Sequence, residues 1–224
     1  MTRIGVLAEA PIAGRCKPQL LAAHEGKWVA GLYAAMLRDT LDGMQSVTAD
    51  EYVVFAPRRE GEGEAAESAL AILGRHVPAP WEIVAQESDD FGARVEQALA
   101  TLLARGEGLA ILSTSDAPSI PIEPLEEATA NAKPSEIVVG PNEDGGCYLL
   151  AMAALHPRLV RDVPWTTPAA MATLRARCKE LGLTLRELPT WYDVDEPSDV
   201  LKLLDELRKH PERAPRTAQF LVTS

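Results

Sequence analysis

Four aspartates and one lysine are the residues of this chain best placed to do chemistry. Asp116 follows the apolar run Leu109-Ala110-Ile111-Leu112, which breaks into Ser113-Thr114-Ser115 and is followed by Pro118 and Pro121. Such a run has the character of a strand buried on both faces. In an open parallel sheet, ligands bind beyond the carboxyl ends of the strands, where Asp116 falls. A carboxylate there suits a divalent cation that carries phosphate oxygens. It equally suits the N-cap of a following helix. Asp193 and Asp195 alternate in Trp191-Tyr-Asp-Val-Asp-Glu-Pro197, so an extended backbone points both to one face. A pair on one face, set opposite Asp116, is a donor set for Mg²⁺ or Mn²⁺; the alternative is a solvated approach to a helix capped by Ser198 or Asp199. Asp144 precedes Gly145-Gly146, read as a tight turn that returns the chain towards the sheet. Lys17 and Arg15 are the cations of a loop holding Pro11, Gly14 and Pro18. Backbone amides in a loop after the first strand approach phosphates, but plain strand-to-helix connections have the same composition.

The elements that must position these groups alternate. Strands are expected at Arg3 to Ala8, Glu51 to Ala56, Trp81 to Gln86, from Leu109, at Glu136 to Gly140, Cys147 to Met152 and Leu183 to Leu188. Between them, the 3.6-residue period predicts a long helix from His24 to Met44, with Trp28, Val29, Leu32, Tyr33, Met36, Leu37 and Leu41 inward. Further helices are expected up to Arg75, after Asp89 or Asp90, from Pro121 to Ala132, from Ala169 to Leu181, and on to about Lys209. Residues 58–67 read as a charged, Gly-rich surface loop, and residues 211–224 as a loose C-terminal tail. The alternation implies an α/β fold, a mostly parallel central sheet with helices on both faces.

Composition excludes some partners. The 224 residues fit one large domain, 46% hydrophobic, with a net charge of −11. That balance argues against a nucleic-acid or anionic-membrane surface. No run nears the roughly 20 apolar residues of a membrane span. Cys16, Cys147 and Cys178 lie too far apart to form a metal-ligand motif or a disulfide framework. Met1-Thr2-Arg3 leads straight into a strand, so no secretory leader and a cytoplasmic setting are expected. No Ser-His-Asp order, HExxH, P-loop or strict GxGxxG occurs. Oligomeric state is not legible.

Seven segments in order resemble one family. They are APIAGRCKPQL at 10–20, LYAAMLRDTL at 32–41, QESDDFGAR at 86–94, STSDAPSIP at 113–121, VVGPNEDGGCYLL at 138–150, VPWTTPAAM at 163–171 and LPTWYDVDEPSDVL at 188–201. The chain is similar to the small bacterial glycosyltransferase-A-like proteins, the nucleotide-diphospho-sugar transferases that include the arsenosugar-biosynthesis glycosyltransferases. Its closing DVDEPSDVL also resembles nucleotidyltransferases such as the molybdenum-cofactor and phospholactate guanylyltransferases.

The resemblance implies a single-domain GT-A, Rossmann-like fold over residues 1–210, with 211–224 a tail. It implies metal-dependent transfer of a sugar from a nucleotide-diphospho-sugar donor to a small-molecule acceptor. Nucleotidyl transfer releasing pyrophosphate, or a binding protein that has kept the fold without catalysis, stays open. By the same resemblance, Ala10, Pro11, Gly14, Lys17 and Ser115 bind the nucleotide. Asp116 with Asp193 and Asp195 holds Mg²⁺ or Mn²⁺, Asp116 and Asp144 are catalytic, and Gly145, Gly146 and Trp165 lie on the acceptor side. The chain departs from the family pattern at Glu9, where a basic residue is usual, at Pro18-Gln19 after Lys17, and at Cys147. A phosphate loop poorer in cations binds diphosphate more weakly.

Overall fold

The computed structural model describes residues 1–58, 68–130 and 132–223; the loop expected at 58–67 lies, beyond Arg58, outside the described residues. The first half alternates as the sequence predicts. β1 (Thr2–Leu7) leads to α1 (Gly26–Ser46), β2 (Glu51–Pro57), α2 (Ala69–Gly74), β3 (Glu82–Gln86), α3 (Phe91–Ala104) and β4 (Leu109–Thr114). Then come α4 (Glu123–Ala130), β5 (Glu136–Pro141), β6 (Cys147–Met152), α5 (Pro157–Val160), α6 (Ala170–Leu181), β7 (Thr184–Glu187), α7 (Pro197–Leu207) and α8 (Pro215–Thr223). The short α5 was not expected.

The strands form one sheet in the order β3-β2-β1-β4-β6-β5-β7. β6 runs antiparallel to β4 and to β5, and every other pairing is parallel. The tight turn at Gly145-Gly146 is what reverses β6 against β5. Successive side chains of a strand point to opposite faces, so β4 sends Leu109 and Ile111 to one face, and Ala110 and Leu112 to the other. The first face packs on Leu37, Leu41 and Met44 of α1 and on Leu125 of α4. The second packs on Val95, Leu99 and Leu102 of α3 and on Met171, Leu174 and Cys178 of α6. Both faces are thus covered, which is why the strands read as continuous apolar runs.

The C-terminal segment departs from expectation. Residues 211–224 are not a loose tail as far as Thr223, because α8 lies against α1 in a third core with Leu32, Tyr192, Val194, Leu203 and Ala214. Phe220 sits where a Cβ on Gly31 would be 2.7 Å from its ring, so glycine lets the two helices close. Buried Asp39 of α1 caps α8 across the sequence, accepting from Thr217 N (2.7 Å) and Arg216 N (3.2 Å). Asp39→Ala is therefore expected to destabilise the fold by about 1–2 kcal/mol, the usual cost of an N-cap. Urea unfolding measures the loss, and hydrogen exchange should show it concentrated at 215–223.

Candidate active site

The site is set by strand register. β1 and β4 are central neighbours, with Leu7 opposite Thr114 at their carboxyl ends. The chain leaves β1 and β4 side by side, into the loops 8–17 and 115–121. β1 connects onward to β2 on one flank, while its other neighbour is β4, and such a switch point opens a crevice. The third contributor arrives from the far side. Trp191 bridges Asn142 beyond β5, and Val194 N donates to the Asp116 carbonyl at 2.8 Å, so Asp193 and Asp195 lie beside Asp116.

At the centre is an ammonium between two carboxylates. Lys17 Nζ lies 2.5 Å from Asp116 Oδ1 and 2.7 Å from Asp195 Oδ1, and the lysine is 5% exposed. Burial works against its charge, but the two aspartates outweigh burial and hold its pKa above the ordinary lysine value. Lys17 has left-handed backbone angles (φ 46°), and its N–H donates to Glu9 Oε1 at 3.1 Å. A 3-10 turn at Pro18–Ala22 follows directly. Asp195 is fixed from behind, because Asp199 Oδ2 accepts from Asp195 N and Glu196 N, and Asp199 and Glu196 form the capping box of α7.

A cavity of about 200 Å³ opens beside this cluster, walled by Glu9, Lys17, Tyr33, Arg94, Ser115, Asp116 and Asp195 among others. Tyr33 Oη accepts from Glu9 N (2.9 Å) and shares a hydrogen bond with Ser115 Oγ (2.8 Å). Burial, then Asp116 and Glu9, push its phenol upward, so it stays protonated. Arg94 donates from Nε to Gln86 Oε1 (2.9 Å) and from Nη2 to the Ala8 carbonyl (3.2 Å), which holds a guanidinium at the cavity wall. The sequence reading did not single out Tyr33 or Arg94. Tyr33 lay on the core face of a helix, and its hydroxyl is what distinguishes it from core. Arg94 closed one of the resembling segments.

Of the other expected residues, Ala10, Pro11 and Gly14 do not line this cavity. Asp193 lies near the aspartate pair but turns to Asn142, whose Nδ2 donates to its Oδ2 at 2.9 Å. Burial, with Asp195, Asp144 and Asp116 nearby, pushes its carboxyl up to about 7. Asp144 is exposed, and its Oδ1 accepts from Gly146 N at 2.8 Å, which shapes the turn. Gly145 (φ +91°) packs against Pro168, whose carbonyl would stand 2.4 Å from a Cβ, so this turn requires glycine. Trp165 lies with Phe91, Thr114 and Cys147 around a small neighbouring pocket that shares Leu7, Phe91 and Thr114 with the first. Burial and then Asp144 push the Cys147 thiol up to about 12, which disfavours its thiolate form.

Among the described residues no three His, Cys, Asp or Glu side chains form a metal cage. A divalent cation still fits, because two carboxylate oxygens already converge on one positive charge. Mg²⁺ is commonly held by one or two carboxylates, with substrate phosphates and water completing the shell.

This crevice and its sheet define the fold of the GT-A-like nucleotide-diphospho-sugar transferases and nucleotidyltransferases. A protein from Desulfovibrio desulfuricans G20, provisionally designated a nucleotide-diphospho-sugar transferase, superposes with a TM-score of 0.84 at 22% identity, over 98% of this chain and 93% of that one. A nucleotidyl transferase from Methanothermobacter gives 0.61 at 18%, over 94% and 99%. The inositol-1-phosphate CTP transferase of T. maritima gives 0.56 at 12%, over 95% and 97%. The chain belongs to the family described as "uncharacterized protein conserved in bacteria", DUF2064, which matches residues 40–167 and so includes Asp116 and Trp165. No curated protein matches it. Among the described residues no helix is long and apolar enough to cross a membrane.

Proposed function

We propose that the chain is a cytoplasmic, metal-dependent transferase that moves a sugar from a nucleotide-diphospho-sugar to a small-molecule acceptor. The observation that carries this reading is the Asp116–Lys17–Asp195 cluster at the carboxyl ends of β1 and β4, beside a cavity with Arg94 on its wall. Asp116 and Asp195 would hold Mg²⁺ or Mn²⁺, which when bound supplies positive charge to the departing diphosphate. Lys17 and Arg94 add fixed cations on the same side, and Tyr33 and Ser115 offer hydroxyls to a nucleotide. Positioning supplies the remainder of the rate. Trp165 borders the smaller pocket together with Cys147, the residue that follows the Gly145-Gly146 turn, and this pocket suits the acceptor or the sugar. Asp144, exposed in that turn, is the candidate base.

Nucleotidyl transfer is the second reading, favoured by the fold shared with the Methanothermobacter enzyme. The two differ in product. Incubation with a panel of nucleotide sugars and Mn²⁺ is expected to release nucleoside diphosphate, whereas nucleotidyl transfer from a triphosphate releases pyrophosphate. Calorimetry with nucleoside diphosphates, with Mn²⁺ and with EDTA, runs alongside. If a folded protein binds none of them, both readings fall and a fold kept for another ligand remains.

A further inference from the structure

One carboxylate behind the cavity joins several parts of the chain. Glu206 of α7 does not line the cavity, and its side chain is only 13% exposed. Its Oε2 accepts from Ser119 Oγ at 3.0 Å and from Tyr192 Oη. Its Oε1 accepts from Arg213 Nη1 at 2.9 Å. Trp191 Nε1 in turn donates to Ser119 Oγ at 3.3 Å. Burial, then Glu206, push the Tyr192 phenol upward, so it stays a donor.

The donors come from different elements. Ser119 lies in the loop that follows β4, three residues after Asp116, and Pro118 stiffens the path between them. Tyr192 stands at the start of the segment that carries Asp195. Arg213 ends the short 3-10 turn Pro211–Arg213 that leads into α8. A well-packed apolar group in place of a buried ion pair is often neutral for stability. What such a group cannot do is set distances. A carboxylate offers about four directed acceptor sites, and here three donors fix where the two loops lie relative to α7.

We propose that Glu206 is a positioning residue: its bonds to Ser119 and Tyr192 set the spacing of Asp116 and Asp195, while its bond to Arg213 serves stability alone. This rests on the functional reading above, in which that spacing receives the ligand. The bond from Val194 N to the Asp116 carbonyl ties the two segments at one point. One bond leaves them free to pivot, and Glu206 supplies the second point of attachment.

The test compares the arms of the network. Nucleoside-diphosphate affinity in Mn²⁺ is measured by calorimetry on the full chain, and stability by urea unfolding, for Ser119→Ala, Tyr192→Phe, Arg213→Met, Glu206→Leu and Glu206→Gln. Ser119→Ala and Tyr192→Phe should each weaken binding on the order of fivefold, and Glu206→Leu on the order of tenfold. Arg213→Met should lower stability and leave affinity unchanged. Glu206→Gln can turn its carbonyl to the two hydroxyls, so it should lose stability yet bind close to wild type. Wild-type affinity in Glu206→Leu would make the network structural only and overturn the inference. So would a loss of affinity in Arg213→Met equal to that in Tyr192→Phe, because the arms would then act as one packing unit. Either result leaves the functional reading standing. If the wild type binds no nucleoside diphosphate with Mn²⁺, the reading and the inference fall together. Should Glu206→Leu not fold, the double variant Ser119→Ala/Tyr192→Phe removes both loop arms, keeps the Arg213 pair and carries the same expectation.

Discussion

An Asp116→Ala variant is expected to lose nucleoside-diphosphate binding in Mn²⁺ by about a hundredfold or more, some 2.8 kcal/mol at 1.4 kcal/mol per decade. Two effects add. The variant removes one of the two carboxylates offered to a metal, and it leaves the buried Lys17 ammonium with Asp195 alone. Truncating one partner of a desolvated pair commonly costs 2–5 kcal/mol, much of it from the charge left behind; Asp116 is about a third exposed, so the lower part of that range applies. Asp116→Asn separates shape from charge, since it keeps the backbone bond to Val194 and a hydrogen-bonding side chain. It should bind nearly as poorly as alanine. Binding at wild-type strength by Asp116→Asn would remove Asp116 from the site. Circular dichroism on each variant distinguishes lost binding from lost fold.

The largest expected effect on stability lies at the opposite end of the same strands. Arg3 is fully buried at the start of β1, and it clamps the end of α3. Its Nη1 donates to the Gly106 carbonyl at 3.0 Å and its Nη2 to the Arg105 carbonyl at 3.1 Å, while Nε reaches Glu51 at 3.4 Å. Arg3→Met fills similar volume but leaves two carbonyls without their donor, so about 3 kcal/mol should be lost in urea unfolding. Arg3→Lys keeps the charge and cannot fork to both carbonyls, so it should fall between the two. A loss under about 0.5 kcal/mol in Arg3→Met would mean that water replaces the guanidinium without penalty. Nucleotide binding, at the other end of β1, should change little in any variant that stays folded.

Strand periodicity made the sheet legible, because buried parallel strands leave continuous apolar runs and their loops collect Gly and Pro. Asp116 was legible for the same reason, since a lone carboxylate after such a run marks a strand end. What the sequence could not express was register. That Lys17 meets Asp116 depends on Leu7 lying opposite Thr114, and that Asp195 joins them depends on the bridge from Asn142 to Trp191. Neither pairing leaves a periodic trace. Asp193 and Asp195 do alternate, as an extended segment requires, yet their partners differ: Lys17 for one, Asn142 for the other. Asp39 and α8 were missed on the same ground. A carboxylate in the middle of a helix reads as a solvated position until a second helix end is found upon it.

The bond between Lys17 and Asp195 joins residues 178 positions apart. The site is therefore made of the first and last sheet-proximal parts of the described chain, and closing so wide a loop costs conformational entropy that local contacts do not offset. On that ground the pocket should be among the late features to appear as the chain folds, after β1, β2 and β4 have paired. Its occupant then acts as a strap across the whole molecule. A ligand that bridges Lys17, Asp116 and Asp195 raises global stability by mass action instead of stiffening one loop. A plain thermal shift with candidate nucleotides thus becomes a sensitive first screen for what this protein holds.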